Sequence, residues 1–318
     1  MREYSAKIGV RSEPATPFNR RLRMLGVLMA GLVILFCKPL WGLFRLAFFS
    51  EQSDLYSFVP LMPAITGYLI WTRRKRISTE FQPAWKTTAV FFCAGLAVAG
   101  GYFWMRHGGW RLELEDYLAM MTLSLLFFVL ASGLATLGSS TIKSITFPIA
   151  LLLFMVPYPT VVLNWIEAFF DQTSAVAACG FFELAQTPVL KEGLILNLPG
   201  VALQVAPECS GLHSTLVLLI TSLLAGELFL QSKWRRVFLT VFVLPLAILR
   251  NGFRIGVIGE LCVHIGPHMI HSPIHKKGGP IFFALSLIPF FLVLMYLRKK
   301  DMRDVPQAVK PDAVVKSL

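Results

Sequence analysis

Long apolar runs, each closed off by charges or by Pro and Gly, limit this chain to very few architectures. A helix needs about 20 largely apolar residues to cross a hydrocarbon core. Eight stretches approach that length: Met24–Phe36, Phe58–Trp71, Thr87–Trp104, Tyr117–Leu137, Ile145–Val162, Leu212–Leu230, Val237–Cys262 and Pro280–Leu297. The first two are short. The first can be extended through Leu43, and the broken apolar stretch from Cys37 to Phe49 fits a re-entrant or interfacial segment. The expected fold class is all-α and polytopic, with about eight transmembrane helices. An apolar content of 55%, only 15% charged residues and a mean hydropathy of +0.64 exclude a disordered chain and argue against an ordinary soluble domain.

The net charge of +12 would by itself suit a nucleic-acid binder. Its distribution does not. The basic residues fall in short clusters between apolar runs: Arg20, Arg21 and Arg23, then Arg73 to Arg76, then Lys233, Arg235 and Arg236, then Arg298 to Lys300. With the N-terminus inside, eight crossings put these clusters in the cytoplasm. Glu51, Asp54, Glu113, Glu115, Asp116, Glu167, Asp171, Glu183, Glu192 and Glu208 then lie outside. This separation is the positive-inside pattern of a multi-pass protein of the cytoplasmic membrane, and no nucleic-acid partner is expected. A polar, Arg-containing segment precedes the first run and no small-residue cleavage pattern follows it, so that run reads as an anchor. Residues 1–23 are expected as a cytoplasmic segment, 24–297 as one membrane domain and 298–318 as a cytoplasmic tail, disordered from Asp301 with Pro306 and Pro311.

The longest connection, Leu163 to Glu208, holds two patterns. Asn164 to Leu184 has helical period, with Trp165, Phe169, Val176, Cys179 and Phe182 on an apolar face and Glu167, Asp171 and Gln172 on a polar one. That suits a helix along the outer surface better than a ninth crossing. Beyond Pro188, the runs Gly193 to Leu198 and Val201 to Ala206 flank Pro199-Gly200. Pro then Gly favours a type II turn, which predicts a short extracytoplasmic β-hairpin before the sixth span. Its second strand leads directly into Pro207-Glu208-Cys209-Ser210-Gly211.

Ionisable groups within or beside membrane spans are costly, and each is a functional candidate. Cys209 precedes the sixth span, Arg250 and Arg254 share one face of the outer half of the seventh, and His275 precedes the eighth. A cysteine thiolate is a strong nucleophile, a histidine can deprotonate it, and an arginine can stabilise the oxyanion formed at an attacked carbonyl. The start of a helix beside Cys209 would lower its thiol pKa further. Spacing alone leaves the base open among His213, His264, His268, His271 and His275; the last four crowd one outer loop, where metal binding is the minor alternative and no metal site is expected. Cys37, Cys93, Cys179 and Cys262 read as small buried hydrophobes. Five cysteines without a CxxC indicate neither a disulfide framework nor a zinc site.

Pro207-Glu208-Cys209-Ser210-Gly211-Leu212, Asn251-Gly252-Phe253-Arg254-Ile255, and His275 with Gly279 four positions on, together resemble the signature of the exosortase/archaeosortase family. Asp54 to Arg76 also resembles that family's second helix, so the likeness covers roughly residues 40–297. The resemblance implies a polytopic, sortase-like cysteine transpeptidase. Such enzymes act on exported proteins that carry a C-terminal sorting signal, a short Pro-Glu-Pro-type motif followed by a transmembrane helix and a basic tail, and pass them to an acceptor. It assigns the nucleophile to Cys209, the family arginine to Arg254 and the family histidine to His275. Gly278-Gly279 fits that choice if the helix start packs closely against its neighbours. Lys276 and Lys277 depart from the family pattern.

The expected function is thus cleavage of sorting signals at the outer face through a thioester acyl-enzyme, without a cofactor. The acceptor is undefined, and membrane lipid surrounds the enzyme. Two alternatives are a transporter or channel in which Arg250 and Arg254 line an anion path, and a membrane acyltransferase linked to exopolysaccharide assembly. Gly95, Ala99, Gly100 and Gly101 are possible docking points for a substrate helix.

Overall fold

The computed structural model describes residues 17–50, 53–78, 80–205, 211–271 and 278–304. Six described helical segments are long and apolar enough to cross a membrane, and two bent pairs raise the number to eight. The all-α polytopic expectation holds. The chain divides into two compact units, Met1–Thr160 and Val161–Leu318.

The first unit is built around α6 (Leu114–Leu137), packed against α5 (Trp85–His107) and α1 (Pro17–Leu35). Phe36, Tyr102, Met121 and Leu125 form its core. Gly95 lets α5 approach α6 closely: a Cβ there would lie 3.0 Å from the Phe128 ring, and Ser124 Oγ donates to the Gly95 carbonyl at 2.8 Å. Packing within the unit therefore accounts for Gly95. A capping box starts α6, with Glu113 N–H donating to Asp116 Oδ2 at 3.2 Å. The first apolar run continues into α2 (Cys37–Phe49), but the axis turns by 70° between them, as the broken pattern predicts.

After the short helices α3 (Ser53–Tyr56), α4 (Leu61–Arg73) and α7 (Ser139–Ser144), the fifth apolar run departs from expectation. Ile145–Val162 is not one helix. It comprises α8 (Thr146–Leu151), a 3-10 turn over Leu152–Met155 and the start of α9 (Thr160–Leu184), with a bend of 92° at the break. Pro157 and Pro159 explain the interruption. Each lacks a backbone donor, and each disfavours helix in the residue before it. Asp116 secures the restart, accepting from Thr160 N–H at 2.8 Å and from its hydroxyl at 3.2 Å.

In the second unit, α11 (Lys233–His264) is the organising element. At about 1.5 Å per residue it is about 48 Å long, well beyond a hydrocarbon core of about 30 Å. Its C-terminal turns carry Gly252, Gly256 and Gly259 on the face that meets α9. A Cβ at Gly252 would lie 2.5 Å from Ala177 Cβ, and one at Gly256 3.1 Å from Phe181 Cβ, while Gly259 faces the Phe182 ring. These glycines let the C-terminal part of α11 meet the segment Ala177–Phe182 of α9 at close range. Ala175, Ala178 and Phe182 of α9 join Ile255, Ile258 and Cys262 of α11 in one core.

A three-stranded antiparallel sheet covers that core through Leu196, Leu198, Leu203 and Val205. Strands β2 (Ile195–Leu198) and β3 (Val201–Gln204) are the expected hairpin, turning at Pro199-Gly200, where Gly200 has φ +78°. A third strand, β1 (Leu190–Glu192), adds to β2 through a turn at Gly193, φ +65°. At three residues, two of them charged, β1 carries no readable alternation. At the other end, Leu218, Leu239, Val243, Phe290 and Leu294 join α10 (Leu212–Phe229), α11 and α12 (Gly279–Asp304). The expectation of disorder from Asp301 is corrected here. Helix α12 continues to Asp304, and buried Asp301 accepts from Gln231 N–H at 2.7 Å and pairs with Arg235, which also pairs with Asp304.

Candidate active site

Helix α10 begins at Gly211, a residue in the left-handed region at φ +66°. A side chain there would be strained, and space is short as well: a Cβ would lie 3.0 Å from Arg250 Nη2 and 3.0 Å from Asn251 Oδ1. The Cys-Ser-Gly segment and the Asn-x-x-Arg segment therefore meet at this glycine, although they lie 40 residues apart in sequence. Arg250 Nη2 donates to the Gly211 carbonyl at 3.1 Å and lies 3.4 Å from Thr215 Oγ1. The same carbonyl accepts from Thr215 N–H at 3.0 Å, Thr215 Oγ1 at 2.8 Å and Ser214 Oγ at 2.9 Å.

Arg254 lies one turn beyond Arg250 on α11 and is half-buried, whereas Arg250 and Asn251 are buried. The Arg250 guanidinium thus lies at the N-terminus of α10, whose dipole adds a partial positive charge, and Arg254 follows one turn along α11. Such surroundings favour an anion, either a thiolate or a developing oxyanion. Cys209 and His275 fall outside the described residues, as do Glu208 and Ser210.

The other histidines separate by position. His213 is half-buried in the first turn of α10. His264 is exposed at the end of α11, with Nε2 3.1 Å from Glu260 Oε2. His268 sits in the 3-10 turn Pro267–His271 and packs against Gly266, where a Cβ would lie 2.9 Å from His268 Nδ1. Among the described residues, no group of three His, Cys, Asp or Glu side chains is placed to hold a metal ion. Among the described cysteines no disulfide forms. Cys262 is buried and Cys179 half-buried, whereas Cys37 and Cys93 are exposed, contrary to expectation, because they sit on outward-facing sides of apolar helices. Among the described residues, nothing lies within 4 Å of where a Cβ at Gly279 would sit.

The expected division of α9 into an apolar and a polar face holds only in part: Phe182 is buried and Gln172 exposed. Asp171 is buried at 4% exposure and Ser174 fully buried, whereas Trp165, Phe169 and Val176 point outward. Next to hydrocarbon, large apolar residues belong on the outside and small or polar ones against the protein. Spacing of the small residues Ser174, Ala175 and Ala178 was the available signal.

The profile described as transmembrane exosortase (Exosortase_EpsH) matches residues 50–292, about three quarters of the chain. The chain belongs to the transmembrane exosortase family. The match runs from the segment before α4 into α12 and so includes the Gly211 turn, Asn251 and Arg254. No curated protein and no solved structure matches the chain.

Proposed function

We propose that this exosortase-family membrane protein is a cysteine transpeptidase or protease that cleaves C-terminal sorting signals of exported proteins at the outer face of the cytoplasmic membrane. The observation that carries this reading is the contact of Gly211 with Arg250 and Asn251, which brings the segment following Cys209 against the helix of Arg254. Gly211 follows Cys209 by two residues, and two residues span at most about 7 Å.

In this reading the Cys209 thiolate attacks the scissile carbonyl, after His275 has taken the thiol proton. Arg254 stabilises the oxyanion, His275 returns the proton to the leaving amine, and a thioester remains on Cys209. Water or an acceptor nucleophile then attacks the thioester and restores the thiol. The substrate's transmembrane helix docks laterally, which suits a bundle with many outward apolar side chains. Both termini are cytoplasmic.

The test is replacement of Cys209 by Ala in the native host, following tagged exported proteins that end in a helix and a basic cluster. Their precursors should accumulate. Unchanged processing, with the variant enzyme present in the membrane at normal level, would refute the proposal.

A further inference from the structure

Helix α12 has two unlike sides. Phe290, Leu294 and Leu297 pack inward in the core shared with α10 and α11. Ile288, Leu292 and Met295, each more than half exposed, follow one another at spacings of four and three residues and so lie on one outward face. At two further steps of four residues the same face carries Lys299 and Arg303, both exposed. Asp301 does not cancel their charge. It is two residues from each, about 200° around the helix axis, and is buried at 5% exposure, where it pairs with Arg235 of α11. Asp304 pairs with the same arginine, and Glu227 of α10 pairs with Arg236. The carboxylates of this end are thus taken up by α11, and the outward side of α12 is left with positive charge. Tyr296, 66% exposed, sits where the apolar and the basic stretches join, a level that suits an aromatic ring at a membrane interface.

We propose that this face binds an anionic phospholipid, with an acyl chain along Ile288, Leu292 and Met295 and the phosphate at Lys299 and Arg303. The ground is that two chemistries follow each other in one line. Ile288 and Lys299 are 11 residues apart, about 16 Å at about 1.5 Å per residue. That is close to half of a hydrocarbon core of about 30 Å, the depth of one leaflet. A soluble anion would use the cations and leave the apolar stretch uncovered, and a zwitterionic lipid would bring its own positive group to Lys299 and Arg303. An anionic lipid suits both halves. Its headgroup fixes the depth at which this end of α12 meets the membrane surface. The site is separate from the proposed cleavage reaction and does not depend on it, nor on which end of the protein faces the cytoplasm.

The experiment places the full chain in nanodiscs of equimolar dioleoyl phosphatidylglycerol and dioleoyl phosphatidylcholine, releases it into a native mass spectrometer, and reads the ratio of the two lipids retained on the protein. Phosphatidylglycerol should be retained in excess. One basic residue near a membrane surface gives roughly a fivefold preference for anionic lipid. Lys299→Gln and Arg303→Gln should therefore each lower the ratio about fivefold, whereas Lys299→Arg, which keeps the charge, should hold the parental value. Lys191→Gln removes a cation of β1, outside this face, and should also leave the ratio unchanged. Inorganic phosphate and glycerophosphoglycerol, which have no acyl chains, should not displace the retained lipid at matched ionic strength. Should either Gln variant of α12 not be recovered folded, the other decides alone. Equal retention of the two lipids by the parental chain, or a parental ratio in a folded Lys299→Gln or Arg303→Gln, overturns the proposal. An equal fall in Lys191→Gln overturns it in favour of overall charge, and displacement by inorganic phosphate overturns it in favour of a free-anion site.

Discussion

Glycines in this chain divide sharply by what surrounds them. Gly252 faces the backbone of α9, with Ala177 C and Ala178 N both 3.0 Å from where a Cβ would sit. Neither can yield as a flexible side chain can. Gly252→Ala should therefore cost about 1–3 kcal/mol, the range for overpacking a tight contact, seen as a lower midpoint of thermal unfolding in detergent or lipid. Gly279→Ala, with nothing within 4 Å of the added Cβ among the described residues, should change stability by less than about 0.5 kcal/mol; equal destabilisation by both would contradict the close approach of α9 and α11. For chemistry, Arg254→Ala should reduce kcat about 100-fold to 1,000-fold, the effect of removing one oxyanion donor, while the enzyme stays folded. Sequence reasoning singled out Cys209, Arg254 and His275 by chemical type and order. It had no means of finding the approach of Arg250 and Asn251 to Gly211, because that contact joins residues 39 and 40 positions apart and depends on one backbone angle.

Elements were legible where length decided them and obscure where the solvent did. The apolar runs that became α5, α6, α10, α11 and α12 were found near their observed places, since a crossing helix needs a minimum length. The turn at Pro199-Gly200 was found because Pro and Gly fix its backbone angles. The fifth run breaks at Pro157 and Pro159 near its end, and the apolar and polar positions of α9 divide between its two sides only in part as their period suggests. A direct check of α9 uses Trp165, 78% exposed, as the sole tryptophan in lipid. Brominated acyl chains should quench its fluorescence strongly and aqueous iodide weakly. The reverse order would mean that this face meets water. Strand β1 lay below the threshold of any pattern, and its pairing with β2 came from the turn at Gly193.

At the scale of the whole molecule, the proposed topology places most of the excess positive charge on the cytoplasmic side. Arg235, Arg236, Glu227, Asp301 and Asp304 form paired groups where α10, α11 and α12 come together, so part of the basic loop is neutralised within the protein. Single cysteines introduced at Gln231 or after Asp304 should be labelled by a membrane-impermeant maleimide only from the cytoplasmic side, and one at Gly193 only from outside. Labelling of all three from the same side would contradict the assigned topology. The central claim is that Cys209 carries the acyl group. Its most direct test is to incubate the purified chain in lipid with a sorting-signal substrate, quench with acid, and measure the mass of the peptide containing Cys209. The account predicts an adduct equal to the N-terminal product of the substrate, released by hydroxylamine and missing in Cys209→Ala. Cleavage that proceeds without any adduct on Cys209, and equally fast in Cys209→Ala, would contradict it.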